Sequence, residues 1–492
     1  MKKMYNYYLL TALMGVAGAA YAQDSYDAQT LANSDLNGTS RFVAMGGALG
    51  ALGGDVSVMS TNPAGTGMYR SSDVAFSFSG LFTGKGAMGH DGARMSFDQG
   101  GVLITFDMDE PTNKGLQFVN FGVNFQKKRN FLFNQRTDVR NLNDTFSQTF
   151  QIADLCTDAF ANNYWGTMAD MSAAEQDGHA GILDESQDSY QGLPASEAYF
   201  EKATFGSNLQ ADVNISFNVS DQFFIGASVG VYDIDYHRES FYQELGTDGV
   251  TYDFTNWYKT KGDGFDVKLG FICRPIEESP FRFGVTVHTP TWYRLTDANG
   301  ADLFMNDEYV ASGSNAEYDY RFRTPWKFGV SVGHTIANKF AIGAEYEFQD
   351  MSSAHYREVD GYNSNYFRNM NKITENTLRG QHTLKVGMEF KPIEELSFRA
   401  GYNFVSSPFK SGAYRTIGYD GPYTETDWTN WGAINRFSLG LGYRYKSGYV
   451  DLAWQYQAQK GDFYAFDNGE DFKSTEIKAN RSQLMATFGF RF

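Results

Sequence analysis

The sequence predicts an all-β chain: a transmembrane antiparallel β-barrel of about fourteen strands whose lumen is plugged by an N-terminal segment. Three observations carry this. A secretion address opens the chain, alternating strands recur up to the last residue, and short and long connections interleave between them. The expected organisation is a signal peptide over 1–22, a plug over 23–72, and a barrel over 73–492 with a long external loop at 137–206.

The N-terminus comes first. Lys2 and Lys3 precede the apolar run "YYLLTALMGVAGAA", and "AYA" at Ala20-Tyr21-Ala22 offers small residues for cleavage. The expected cut falls between Ala22 and Gln23. The apolar run is short for a spanning helix, and no later run reaches about eighteen apolar residues. No cysteine follows the cut, so lipid attachment is not expected. The two cysteines, Cys156 and Cys273, are too few for a disulfide scaffold in an exported chain. They fall in an external loop and near the inner end of a strand, beyond disulfide reach. A net charge of −17 argues against nucleic acid or an anionic surface as partner. Aromatic residues make up 16% of the chain, more than a soluble domain has places for.

The next stretch, "RFVAMGGALGALGGDVSVMSTNPAGTGMYR" (41–70), is rich in glycine and nearly uncharged. A dinucleotide fingerprint needs glycines at i, i+2 and i+5, and a phosphate loop needs a terminal Gly-Lys-Ser/Thr. Neither occurs. The alternative is packing: Gly46, Gly47, Gly50, Gly53 and Gly54 allow close backbone approach. A fourteen-stranded barrel encloses a lumen too wide for wall side chains to fill, so a compact small-residue segment suits it.

Strands are expected near 73–82, 100–108, 117–136, 207–219, 222–239, 262–275 and 280–294, then 325–337, 339–351, 379–392, 395–405, 434–447, 449–460 and 480–492. In "RFSLGLGYRY" (436–445), Phe437, Leu439, Leu441, Tyr443 and Tyr445 share one face and suit lipid. Arg436, Ser438, Gly440, Gly442 and Arg444 share the other and suit a lumen. Turns such as "NVSDQ", "TIANK" and "KPIEE" alternate with long connections at 83–99, 137–206, 240–261, 295–324, 352–378, 406–433 and 461–478. Short periplasmic turns facing long external loops give this asymmetry, and an even strand number puts both termini on the periplasmic side. The last strand, "QLMATFGFRF", places Phe488, Phe490 and the terminal Phe492 on one face. It resembles the terminal signal read by the barrel-assembly machinery.

Several patterns mislead. "GASVG" (226–230) and "GVSVG" (329–333) match a hydrolase nucleophile elbow, but each lies inside a continuing strand rather than a strand-to-helix turn. Their inward small residues are read as room for the plug. The histidines are scattered without metal-type pairing, and the acidic run "FDNGEDF" (466–472) is read as a solvated loop rather than a cation site at the lipopolysaccharide surface. No catalytic constellation, metal site or cofactor site is expected.

The stretch 41–70, with "NPAG" at Asn62-Pro63-Ala64-Gly65, resembles the N-terminal hatch of FadL-type outer-membrane transporters. "VSDQFFIGASVGVYDIDY" and the fourteen strands are similar to the family as well. The resemblance implies a monomeric barrel in a Gram-negative outer membrane that takes up long-chain fatty acids or aromatic hydrocarbons. Ligand would be held in an apolar pocket and released by a hatch rearrangement, often sideways through the wall. For a carboxylate ligand, inward candidates are Arg282, Lys385, Arg399, Arg436 and Arg444. Most of these are better read as lumen charges satisfied by acids such as Glu345, Glu347 or Glu389. In the loop 137–206, Phe146, Phe150, Ala153, Phe160 and Tyr164 follow roughly helical spacing, as a ligand groove or as plain packing. Some FadL-like relatives act instead as accessory parts of protein secretion machines, and a diffusion porin is a third reading.

Overall fold

The computed structural model describes residues 24–108, 114–139, 183–184, 189–190, 195–247, 249, 251–312, 316–337, 339–413, 427–465 and 474–492. Fourteen antiparallel strands form a ring. The first seven are β1 (Asp73–Phe82), β2 (Ala93–Asp107), β3 (Leu116–Asn130 and Phe133–Val139), β4 (Ala195–Val219), β5 (Phe223–Gly246), β6 (Thr251–Cys273) and β7 (Arg282–His288 and Trp292–Met305). The next four are β8 (Glu308–Ser312, Ala316–Arg323 and Lys327–Ile336), β9 (Phe340–Asp350 and His355–Glu358), β10 (Gly380–Phe390) and β11 (Leu396–Val405). The last are β12 (Trp428–Tyr445), β13 (Gly448–Tyr464) and β14 (Thr475–Lys478 and Arg481–Arg491). Each strand pairs with its chain neighbours, and β14 returns to β1 from Asp73↔Arg491 to Phe82↔Ser482. Closure joins the first and last strands, as a bilayer demands of a spanning sheet.

The alternation orients as the sequence implies. On β12, Phe437, Leu439 and Leu441 face outward while Arg436 and Ser438 are buried inside. On β14, Leu484, Phe488 and Phe490 face outward and Gln483, Met485 and Thr487 inward. An apolar outer belt around a polar interior is the signature of a membrane barrel.

All fourteen expected strands have a counterpart, but some run much further. β4, β5 and β6 contain 25, 24 and 23 residues. A tilted membrane strand needs only about 9–11. Most of the expected connections 240–261 and 295–324 is therefore wall, not loop. The reason is physical. Above the bilayer the outer face meets water, so Lys259 and Lys261 alternate with the buried Tyr258 and Thr260, and no lipid-facing apolar periodicity remains. The wall also bends there. Pro290 in β7 and Pro325 in β8 lack N–H groups and interrupt both strands at one level. The ladder resumes at Trp292↔Arg323.

Inside the ring lies residues 24–72: α1 (Ser25–Ala32), α2 (Ser40–Ala44) and two 3-10 turns, Val56–Ser60 and Pro63–Met68. Asp24 caps α1, its carboxylate accepting from the N–H groups of Tyr26 and Asp27 at 2.7 and 2.8 Å. The barrel's two ends share the periplasmic side, yet the described start of the chain is high in the lumen. There the Tyr356 hydroxyl donates to the Asp24 carbonyl at 2.8 Å. The expected loop 352–378 holds a further helix, α3 (Asn365–Thr377), which buries Phe367, Met370 and Thr374 beside α1. Ala22, Gln23, Phe146, Phe150, Ala153, Cys156, Phe160, Tyr164 and the acidic run 466–472 lie outside the described residues.

Candidate functional site

Backbone meets backbone in the lower lumen. Gly343, Gly387 and Gly401 pair across β9, β10 and β11 and form one row on the inner wall. A Cβ on any of them would overlap the main chain of Ala48, Met45 or Gly46. Gly226 and Gly270 pair across β5 and β6 and give the same room to Asn62, Pro63 and Ala64. The pentapeptides 226–230 and 329–333 thus place their small residues against the plug, with Gly226, Ser228, Ser331 and Gly333 all buried.

The glycine-rich segment answers in kind. Gly46 and Gly47 adopt left-handed backbone at φ 63° and 80°, and a Cβ on Gly46 would press on Tyr402. Gly50 donates its N–H to Glu345 at 3.0 Å, and Gly53 abuts Gly65. Gly54 differs: its Cβ side is open, and only its φ of 67° requires glycine. Asn62 Oδ1 accepts from the Ala64 N–H at 3.2 Å while its Nδ2 donates to the Gly50 carbonyl at 2.8 Å. One side chain therefore ties the "NPAG" turn to the glycine-rich loop. Pro63 starts that turn, where its missing N–H is no loss.

Charge pairs fix the segment and the wall around it. Lys385 sits between Glu345 and Glu347 at 2.7 and 2.8 Å. Arg399 holds Glu389 at 2.6 Å and Asp451 at 2.5 Å, and Arg41 of α2 reaches Glu389 at 3.2 Å. Beneath β5, Lys268 joins Asp212 and Asp266 at 2.8 and 2.6 Å. Of the expected inward cations, Lys385 and Arg399 are thus engaged by wall acids. Arg282 donates to the Leu52 carbonyl at 3.1 Å, and Arg444 is exposed at the periplasmic rim.

Arg436 belongs to a different level. It donates to Gln457 and Asn403 at 2.8 and 2.9 Å and lies 3.9 Å from Asp35, which Arg481 holds at 2.7 Å. Burial alone would raise the Asp35 carboxyl, but Arg481, Arg436 and Arg129 more than offset it and hold it below the usual carboxylate range. These groups line one side of a cavity of about 170 Å³ between α1 and strands β3, β4 and β12–β14. Tyr26, Phe131, Phe133, Tyr236, Trp428 and Trp431 supply aromatic walls. Among the described residues the buried Trp428 Nε1–H has no acceptor, although its ring stacks on Tyr464 at 4.8 Å. Behind α1, an aromatic cluster with Tyr258, Tyr293, Tyr320, Phe322 and Tyr356 is sealed by α3 and Phe409. Beside the cavity, the β2–β3 ladder stops at Gln99↔Gln126; above it β3 pairs only with β4. Side chains bridge the seam there: Lys127 donates to Ser96 at 2.6 Å, and Phe97 stacks with Phe125.

None of these cavity aromatics was singled out from sequence. One local signal existed: Phe131-Leu132-Phe133 breaks the period-two alternation where β3 is interrupted.

Comparison with solved structures decides the fold. The chain superposes on a FadL homologue of Pseudomonas aeruginosa with a TM-score of 0.54 at 13% identity, covering 94% of this chain and 100% of that one. The fold is that of a FadL-type outer-membrane barrel. The toluene transporter TbuX of Ralstonia pickettii gives a TM-score of 0.50 at 13% identity, with 93% and 99% covered. No family model and no curated protein sequence matches. This chain thus shares its fold with these two structures but little of its sequence. Among the described residues no cluster of three His, Cys, Asp or Glu side chains is placed to hold a metal ion.

Proposed function

We propose that this barrel takes up hydrophobic or amphiphilic small molecules across the outer membrane, with residues 23–72 acting as its hatch. The observation that carries the reading is the aromatic-walled cavity directly above a lumen occupied by the glycine-packed segment. Lipopolysaccharide excludes apolar solutes, and a water-filled bore gives them no favourable site. A dry pocket with a few polar anchors does.

The cavity's carboxylates (Asp24, Asp27, Asp35, Asp427) and cations (Arg129, Lys202, Arg238, Arg436, Arg481) are mixed, and a donor left over among the described residues is the Trp428 indole N–H. This favours a ligand that carries an acceptor, such as a carboxylate, over a bare hydrocarbon. The FadL homologue and the toluene transporter among the structural neighbours support hydrophobic cargo in general. The interrupted β2–β3 ladder offers a sideways exit that avoids moving the whole hatch.

The test is binding and uptake of a fluorescent long-chain fatty acid by the purified barrel in liposomes, beside Asn62→Ala. Saturable binding with uptake altered by the hatch variant is expected. Ion conductance without saturable binding would point to a porin. No binding in either form, with a co-purifying protein, would point to a secretion accessory.

A further inference from the structure

A second cavity, of about 410 Å³, opens beneath the glycine-rich loop at the periplasmic mouth. Its acids are mostly engaged. Glu389 is shared by Arg399, Arg41 and Lys391, and Asp451 is held by Arg399. Three of its cations are not: Arg282, Lys339 and Arg444 have no acid within ion-pair reach among the described residues. Arg282 is the sharpest case. One of its terminal nitrogens donates to the Leu52 carbonyl at 3.1 Å, while its buried Nε has no acceptor among the described residues. The opposing free acids, Glu394 and Glu395, sit exposed in the β10–β11 turn, where water screens them. Leu52, Phe340 and Tyr443 add apolar surface to the same cavity.

A chain of net charge −17 that gathers three unpaired cations around one concavity is arranged for an anion. The apolar lining extends that to an amphiphile. We infer that this vestibule is a second ligand site, which receives the anionic head group, carboxylate or phosphate, of an amphiphile from the periplasmic side. The two sites then lie on opposite sides of the plug. The inference stands apart from the function proposed for the upper cavity, since it rests on a different chamber.

The experiment titrates the full barrel, in an uncharged maltoside detergent, with dodecanoate, dodecyl phosphate, dodecanol and inorganic phosphate by calorimetry. Wild type is expected to bind the two anionic amphiphiles at one site more than dodecanol. The double variant Arg282→Gln/Lys339→Gln should lose that additional site, with affinity falling about tenfold or more as charge-assisted bonds are removed. Arg282→Lys/Lys339→Arg should largely restore it. Arg444→Gln gives an independent, smaller loss at the exposed rim. Heat-modifiable migration on gels checks that each variant keeps a closed barrel. Dodecanol binding at the same number of sites, or anionic binding unchanged in both Gln variants, overturns the inference. Inorganic phosphate competing as well as dodecyl phosphate overturns its amphiphile part. If the upper cavity binds nothing, dodecanol gives no site while the vestibule's anionic site persists, so the two readings fail separately.

Discussion

The lower and upper halves of the lumen are held by different physics. Below, wall glycines and plug glycines bring two backbones together, and buried ion pairs lock them. Above, α1 is packed against aromatic rings on one side and borders a cavity with aromatic and charged walls on the other. Close-packed backbone tolerates no added atom, whereas an aromatic chamber can rearrange around a guest. The contrast separates a part that holds position from a part with room for the proposed ligand.

The strongest way to break this contrast is to fill the lower contact. Gly387→Val should cost the docked plug about 3 kcal/mol or more, because its side chain must occupy the space of the Met45 main chain. Limited proteolysis of residues 24–72 and single-channel conductance would register the displaced segment. The same substitution at Gly448, whose added Cβ would meet only the Tyr445 carbonyl at 3.8 Å, should do neither.

Removing a charge comes next. Lys385→Met leaves Glu345 and Glu347 buried together, and about 3–5 kcal/mol of stability should be lost in denaturant titration. A Glu345→Gln/Lys385→Met pair should recover part of it, since only one carboxylate then remains.

In the upper half the effects shift from stability to affinity. Trp428→Phe keeps an aromatic ring beside Tyr464 and deletes the orphaned N–H. Binding of a long-chain carboxylate should weaken about five- to tenfold, while an alkane of equal length is unaffected. Equal losses for both ligands would mean that the ring, not the donor, makes the site.

The smallest expected effect is one of pH. Asp35 ties α1's following loop to Arg481, and its carboxyl titrates below the ordinary value of 3.8. A depressed value means that its stabilisation is complete above 3.8 and is lost only as pH falls through the lower folded-state value. The Asp35 contribution, read as the difference in plug protection from protease between wild type and Asp35→Asn, should therefore stay constant from neutral pH down to that point and vanish below it.

Legibility in the sequence followed the same divide. Where the wall meets lipid, strands such as 436–445 show two unlike faces, and their inward glycines announce a close neighbour. Above the bilayer, Asn256, Tyr258 and Thr260 face inward while Trp257, Lys259 and Lys261 face water, and hydropathy no longer alternates. Helix α3 was hidden for another reason: a single amphipathic helix in a long connection has no partner until α1 is placed beside it. The cavity was least legible. Trp428, Phe131 and Tyr26 are far apart in the chain, and only the closed ring brings them together.

The closed ring also sets an order in time. The Ser40 N–H is bonded to Thr487 at 2.7 Å, and the Tyr26 hydroxyl to Asn430 at 2.7 Å. Contacts spanning nearly the whole chain cannot form until the final strands are in place, and such long-range closure is slow. Tyr26 and Ser40 are thus secured only once the last strands are present. Until β14 meets β1, the wall glycines of β5, β6 and β9–β11 can offer the segment its seat, but the bond to Thr487 that fixes α2 has no partner in place.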